Sequence, residues 1–105
     1  MNNVLENVSV TLKANVYFDG KVVSHSLLLK DSSKKSVGLI YPGTYNFATK
    51  TPELMEITAG SCRVKLAGQN DWKKYDSGGS FQVPANSAFD ITVENGIVEY
   101  LCSYL

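Results

Sequence analysis

A period of two runs through most of this chain and sets its fold class. Cys62, Val64 and Leu66 alternate with Arg63 and Lys65, and Phe89, Ile91 and Val93 alternate with Asp90, Thr92 and Glu94. Phe81 and Val83 alternate with Ser80 and Gln82, Val8-Ser9-Val10-Thr11-Leu12 repeats the pattern, and Val98, Tyr100, Cys102 and Tyr104 share one face of the last segment. Side chains along an extended strand point to opposite sides in turn, so each segment offers one face to a core and one to solvent. Turn signals cut the chain at short intervals, among them Asp19-Gly20, Pro42-Gly43, Thr51-Pro52, Ala59-Gly60, Ser77-Gly78-Gly79 and Pro84-Ala85-Asn86. Asn95-Gly96 lies between two alternating segments and predicts a hairpin, because both residues tolerate positive φ. Many short strands at this spacing predict an all-β sandwich or barrel. No segment carries a helical period.

Composition narrows the function classes. The 105 residues fit one domain, and ten Lys and Arg balance ten Asp and Glu. A neutral chain has no general electrostatic reason to bind nucleic acid or an anionic membrane. A phosphate-sized ligand would need a local cluster of donors instead. Cys62 and Cys102 are too few and too far apart for a disulfide scaffold or a CxxC site, which points to two buried thiols in a reducing cytoplasm. The first residues, Met1-Asn2-Asn3-Val4-Leu5-Glu6-Asn7, have no basic start and no apolar core, so a signal peptide is not expected. No apolar run approaches the roughly 20 residues of a membrane helix. Residues 1–14 read as an N-terminal arm or extra edge strand, and residues 15–105 as the barrel domain.

Residues 43–60 concentrate the unusual polar groups and read as strand, turn and strand forming one wall of a pocket. Two signals here and downstream resemble cupins, the small jelly-roll barrels. Glu53, six residues and Gly60 match the end of the first cupin motif; Gly79-Ser80-Phe81-Gln82-Val83-Pro84 matches the start of the second. The metal ligands of many cupins are not there. The first-motif histidine positions fall near Thr49 and Thr51 and the second-motif position near Phe89, and neither a hydroxyl nor a phenyl ring replaces imidazole. The sole histidine, His25, reads as a polar face residue. No catalytic metal and no cofactor are expected.

Glu53 and Glu56 stand three apart in an extended segment, so they point to opposite faces, Glu53 with Met55 and Ile57 and Glu56 with Leu54 and Thr58. Whichever faces the lumen needs a partner there. Most Lys and Arg read as solvated surface charge, and no phosphate-binding GxxxxGK loop is present. Most aromatics read as core or cross-strand pairs, but a subset lining the lumen would stack a flat heterocycle.

Several ordered strings carry a closer resemblance: Asn15-Val16-Tyr17-Phe18-Asp19-Gly20-Lys21-Val22, Ser36-Val37-Gly38, Gly43-Thr44-Tyr45-Asn46-Phe47, Glu53-Leu54-Met55, Trp72-Lys73-Lys74-Tyr75, Phe81-Gln82-Val83-Pro84 through Phe89, and Tyr100-Leu101-Cys102-Ser103-Tyr104-Leu105. Together they resemble the bacterial pyrimidine/purine nucleoside phosphorylase family over residues 15–105. One departure is Ala85-Asn86, where family members can show Gly-His. The resemblance implies a small homodimeric cupin that needs no metal and phosphorolyses many nucleosides to free base and pentose 1-phosphate. Within that reading, a carboxylate such as Glu53 or Glu56 suits catalysis and the ribose hydroxyls. Lys21, Ser36 or Arg63 suits phosphate, and Tyr17, Tyr45 or Phe47 suits the base. A non-catalytic cupin that binds a small metabolite or sugar is the alternative from another class, and a metal-dependent cupin isomerase or dioxygenase is the third.

Overall fold

The computed structural model describes residues 4–105, so the first three residues of the expected N-terminal arm lie outside the described residues. Among the described residues there are eleven strands: β1 (Ser9–Val10), β2 (Asn15–Tyr17), β3 (Val22–Leu28), β4 (Lys34–Ile40), β5 (Gly43–Ala48), β6 (Glu53–Ala59), β7 (Ser61–Leu66), β8 (Lys73–Asp76), β9 (Ser80–Val83), β10 (Ala88–Val93) and β11 (Val98–Tyr104). The helical content among the described residues is a single 3-10 turn, Phe18–Gly20, between β2 and β3. The period of two thus becomes strand almost wherever it occurs. Its weakest outcome is at the start: the Val8 to Leu12 alternation yields only β1, and Val10 and Leu12 remain exposed.

The strands form two antiparallel sheets. The larger follows the order β1-β3-β4-β11-β6-β9, with β2 added beside β3; the smaller follows β5-β10-β7-β8. From β4 onward the chain changes sheet at every connection except the β7–β8 hairpin. That alternation builds the facing walls of a cupin-type jelly roll.

Two sequence expectations are corrected here. Asn95-Gly96 does not close a hairpin, because β10 belongs to the smaller sheet and β11 to the larger. Gly96 takes a left-handed conformation, at φ 70°, but Asn95 does not take positive φ, so the pair does not form the expected turn with two left-handed residues. Where the next strand pairs is decided by which sheet buries its apolar face, and the turn residues do not encode that. For the same reason residues 43–60 are not one wall. β5 lies in the smaller sheet and β6 in the larger, so this stretch forms a corner with an arm on each wall.

The core lies between the sheets. Val22, Ile40, Ile57 and Val98 face inward from the larger sheet, and Val64, Ile91 and Val93 meet them from the smaller one, all essentially excluded from water. Truncating such a side chain to Ala costs about 2–5 kcal/mol. Both cysteines are free and buried. No helix among the described residues is long and apolar enough to cross a membrane.

Candidate active site

The core does not fill the barrel. A cavity of about 660 Å³ opens between the sheets, large enough for a nucleoside-sized ligand. Strand alternation explains which residues reach it. On β11 the even positions Tyr100, Cys102 and Tyr104 point in; on β6 Glu53 and Met55 do; on β3 and β4 the inward set supplies Ser24, Ser36 and Ile40. Phe47 and Phe89, directly paired across β5 and β10, enter from the smaller sheet, with Asn46 and Ala48 beside them. Lys50 and Thr51 come from the β5–β6 corner, Tyr17 from the end of β2 and Phe18 from the turn after it. Lys50 and Glu53 are the charged lining residues.

The polar wall is connected. Cys102 sits between Ser36 on β4 and Met55 on β6, and Tyr104 pairs with Glu53. The Cys102 thiol donates to Glu53 Oε1 at 3.4 Å, a long contact allowed by the size of sulfur. The Ser36 and Tyr104 hydroxyls share a hydrogen bond of 2.9 Å. Burial raises the Glu53 carboxyl above its ordinary 4.5, and the Cys102 hydrogen bond works against that rise. Burial pushes the Cys102 thiol up to about 12, reinforced by the neighbouring Glu53 charge. Burial also pushes the Tyr104 hydroxyl up to about 12, against the Ser36 hydrogen bond, and raises Tyr100 further. Near neutral pH this wall therefore presents neutral O–H and S–H groups beside one carboxyl group.

Gly38 fixes Tyr100. The two are direct cross-strand partners, and a methyl group built on Gly38 would lie 2.6 Å from Cζ of the Tyr100 ring. Any side chain there would displace the phenol from the wall. The facing aromatic wall runs ring to ring: Phe18 to Phe47 at 5.5 Å, edge-on, and Phe47 to Phe89 at 5.5 Å, stacked.

The residues singled out from the sequence separate in space. Glu53, Tyr17, Ser36 and Phe47 line the cavity. Glu56, Lys21, Tyr45 and Arg63 do not. Glu56 lies on the opposite face of β6 from Glu53, as alternation requires. Lys21 follows the turn; its backbone bonds Phe18 and Tyr41 while its side chain is exposed. Tyr45 is 5% exposed, with its hydroxyl shared between the carbonyl oxygens of Tyr41 at 2.8 Å and Pro42 at 2.9 Å, so it is core that braces the site. Arg63 stands on the outer face of the smaller sheet, 3.7 Å from Glu94. At the positions where metal-binding cupins carry histidine, Thr49 is structural. Its hydroxyl donates to Pro84 O at 2.6 Å and accepts from Ser87 N at 3.0 Å, tying the β5–β6 corner to the β9–β10 corner. Asn86, in that second corner, takes φ 54°. His25 bonds the Thr11 carbonyl at 3.1 Å on the outer face of β3. Among the described residues no group of three or more His, Cys, Asp or Glu converges as metal ligands do.

The sequence reading passed over Cys102, Tyr104, Tyr100, Ser24 and Phe18 as site residues. The first three were legible as one face of the last strand. Which face met a cavity depended on the sheet that strand joined.

The family model described as Pyrimidine/purine nucleoside phosphorylase matches residues 12–104. A protein of that name from Thiobacillus denitrificans is 57% identical over 99 residues, covering 94% of this chain and 95% of the relative. Another of that name, from Herminiimonas arsenicoxydans, is 49% identical over 106 residues and spans both chains in full. A crystal structure of a protein of unknown function from Acinetobacter sp. ADP1 superposes with TM-score 0.94 at 38% identity, covering 97% of this chain and 98% of that one. With the match running through every strand that lines the cavity, the chain belongs to the pyrimidine/purine nucleoside phosphorylase family.

Proposed function

We propose that this chain phosphorolyses purine and pyrimidine nucleosides in the cavity between its sheets, giving free base and pentose 1-phosphate. The observation that carries the reading is the asymmetry of that cavity, with phenyl rings on one wall and hydroxyl, thiol and carboxyl groups on the other. A nucleoside has the same asymmetry: a flat heterocycle and a polyhydroxylated ring.

In the reaction a phosphate oxygen forms a bond to the anomeric carbon as the bond from that carbon to the base nitrogen breaks. The electron pair leaves with the base, which then takes a proton. The sugar passes through an oxocarbenium-like state, which a nearby negative charge stabilises. Glu53 is the carboxyl group lining the cavity, so it is assigned the ribose hydroxyls and that developing charge. Of the three groups matched to phosphate in the sequence, Ser36 lines the cavity. Broad tolerance of bases follows from stacking, since every base has a π-face.

The same reading includes a homodimer in the cytoplasm. The outer face of the larger sheet supports the dimer: Val23 pairs with Leu39 and Val37 with Leu101 across neighbouring strands, along a groove of about 400 Å³. Two free thiols suit a reducing compartment. Uridine and adenosine, each incubated with the pure protein with and without phosphate, test the activity. Free base released only with phosphate is expected. Ligand-induced stabilisation without turnover would move the chain to the non-catalytic class.

A further inference from the structure

The turn that carries Phe18 holds three consecutive residues at positive φ. Phe18, Asp19 and Gly20 follow one another at φ 51°, 56° and 86°, closed by the Lys21 N–H to Phe18 O hydrogen bond of 3.1 Å. Gly20 adopts such a value without penalty, whereas a phenylalanine does not, because its Cβ crowds the following carbonyl. Burial does not account for the cost, since Phe18 is 43% exposed. A bulky residue in a costly conformation and still half in water is the pattern found where the surroundings hold a side chain for a ligand.

The surroundings do hold it. Tyr45 meets the Phe18 ring at a centroid distance of 5.0 Å and Phe47 meets it at 5.5 Å. Tyr45 is itself pinned by its two hydroxyl contacts, to Tyr41 O and Pro42 O. The other rings near the cavity differ from it in exposure or in support. Tyr45 is buried, Phe89 is 2% exposed, Tyr100 is 8% exposed, and Phe47 is held between Phe18 and Phe89. Tyr17 and Tyr104 also line the cavity and are as exposed as Phe18, at 48% and 42%, but Tyr104 is tied by its hydroxyl to Ser36, and Phe18 is the exposed ring that two other rings brace.

We propose that Phe18 is the residue on which the nucleobase stacks, its ring braced from behind by Tyr45 and Phe47 and its exposed face turned to the cavity. The inference rests on the nucleoside reading of this cavity and adds to it the contact that binds the base. A ring recognises any flat heterocycle, so Phe18 supplies base affinity without base selection. Preset strain and bracing mean that little ordering remains to be done when the base arrives.

Two experiments test it. In a Trp72→Phe background, Phe18→Trp places a reporter at the site, and Tyr41→Trp places one on the half-exposed surface away from the cavity. Adenosine is expected to quench the first saturably and leave the second unchanged; equal behaviour of the two overturns the proposal. In turnover, Phe18→Leu keeps bulk but removes the π-face and is expected to raise the nucleoside KM roughly tenfold to a hundredfold. The phosphate KM should stay within about twofold, and Phe18→Tyr should restore the nucleoside KM. A folded, active Phe18→Leu enzyme with an unchanged nucleoside KM overturns the proposal while leaving the phosphorylase reading intact. Wild-type protein that releases no base with phosphate sinks the phosphorylase reading, and the quenching titration still decides the stacking contact.

Discussion

The two sheets line one cavity with unlike surfaces. The smaller sheet brings Phe47, Ala48 and Phe89, whose contacts there are dispersion and ring stacking, with Asn46 as its one polar lining residue. The larger brings Ile40, Met55 and the Tyr17 ring too, but adds Ser24, Ser36, Glu53, Tyr100, Cys102 and Tyr104, groups able to make directional hydrogen bonds. The difference separates two tasks. A stacking wall binds many partners of one shape, whereas a hydrogen-bonding wall fixes the position of one ring at the reacting atoms. An enzyme that varies the base and keeps the sugar constant needs both.

The largest expected effect comes from cutting the polar wall at its charge. Glu53→Gln keeps shape and hydrogen-bonding capacity but removes the carboxylate, and is expected to lower kcat/KM for uridine and adenosine alike by roughly 10²–10³, the scale for losing one transition-state electrostatic contact. A loss confined to one base class would break the division between walls. Stability should move the other way. Burial raises the Glu53 carboxyl in the folded state above 4.5, so the folded chain holds that proton more tightly than the unfolded chain. Its contribution to stability is fully present below the unfolded value and is lost as pH rises through the higher folded value. Thermal unfolding across the acid range should show that component in wild type and not in Glu53→Gln.

Next is Gly38→Ala. The added methyl meets the Tyr100 ring at 2.6 Å, so ring or strand must shift. Overpacking of this kind costs about 1–3 kcal/mol, and each kcal/mol lowers the Tm of a chain this size by about 4–8 °C. An unchanged Tm would mean that Tyr100 is not locked against the backbone. Tyr104→Phe removes the 2.9 Å contact with Ser36 and leaves the ring. At about 0.5–1.5 kcal/mol for a hydrogen bond, a two- to tenfold fall in kcat/KM is expected. The smallest effect belongs to Arg63→Ala. Its pairing with Glu94 is between two exposed side chains on the far side of the smaller sheet, worth less than about 1 kcal/mol. Steady-state kinetics with varied phosphate should show less than a threefold change; a large rise in the phosphate KM would carry the site out of the cavity.

The strands were legible because burial of one face imposes a period of two. The same rule placed Glu53 and Glu56 on opposite faces and put Tyr100, Cys102 and Tyr104 together. Sheet membership was not legible. Asn95-Gly96 has the composition of a hairpin turn and serves as a corner between sheets, since φ preference fixes a bend and not a partner. Tyr45 and Phe18 looked alike as aromatics near turns. One is core and the other is cavity wall, because three consecutive left-handed residues turn Phe18 back over Tyr45. Arg63 was a plausible phosphate ligand by charge alone, and only the pairing of β7 with β8 and β10 shows that its face looks outward.

A crystal structure with a slowly cleaved nucleoside analogue, solved with phosphate present, tests the central claim most directly. The account predicts the base against Phe18 on the aromatic side and the ribose hydroxyls within hydrogen-bonding distance of Glu53. An analogue bound instead in the outer groove beside Val37 and Leu101, with the cavity between the sheets holding only solvent, would contradict it.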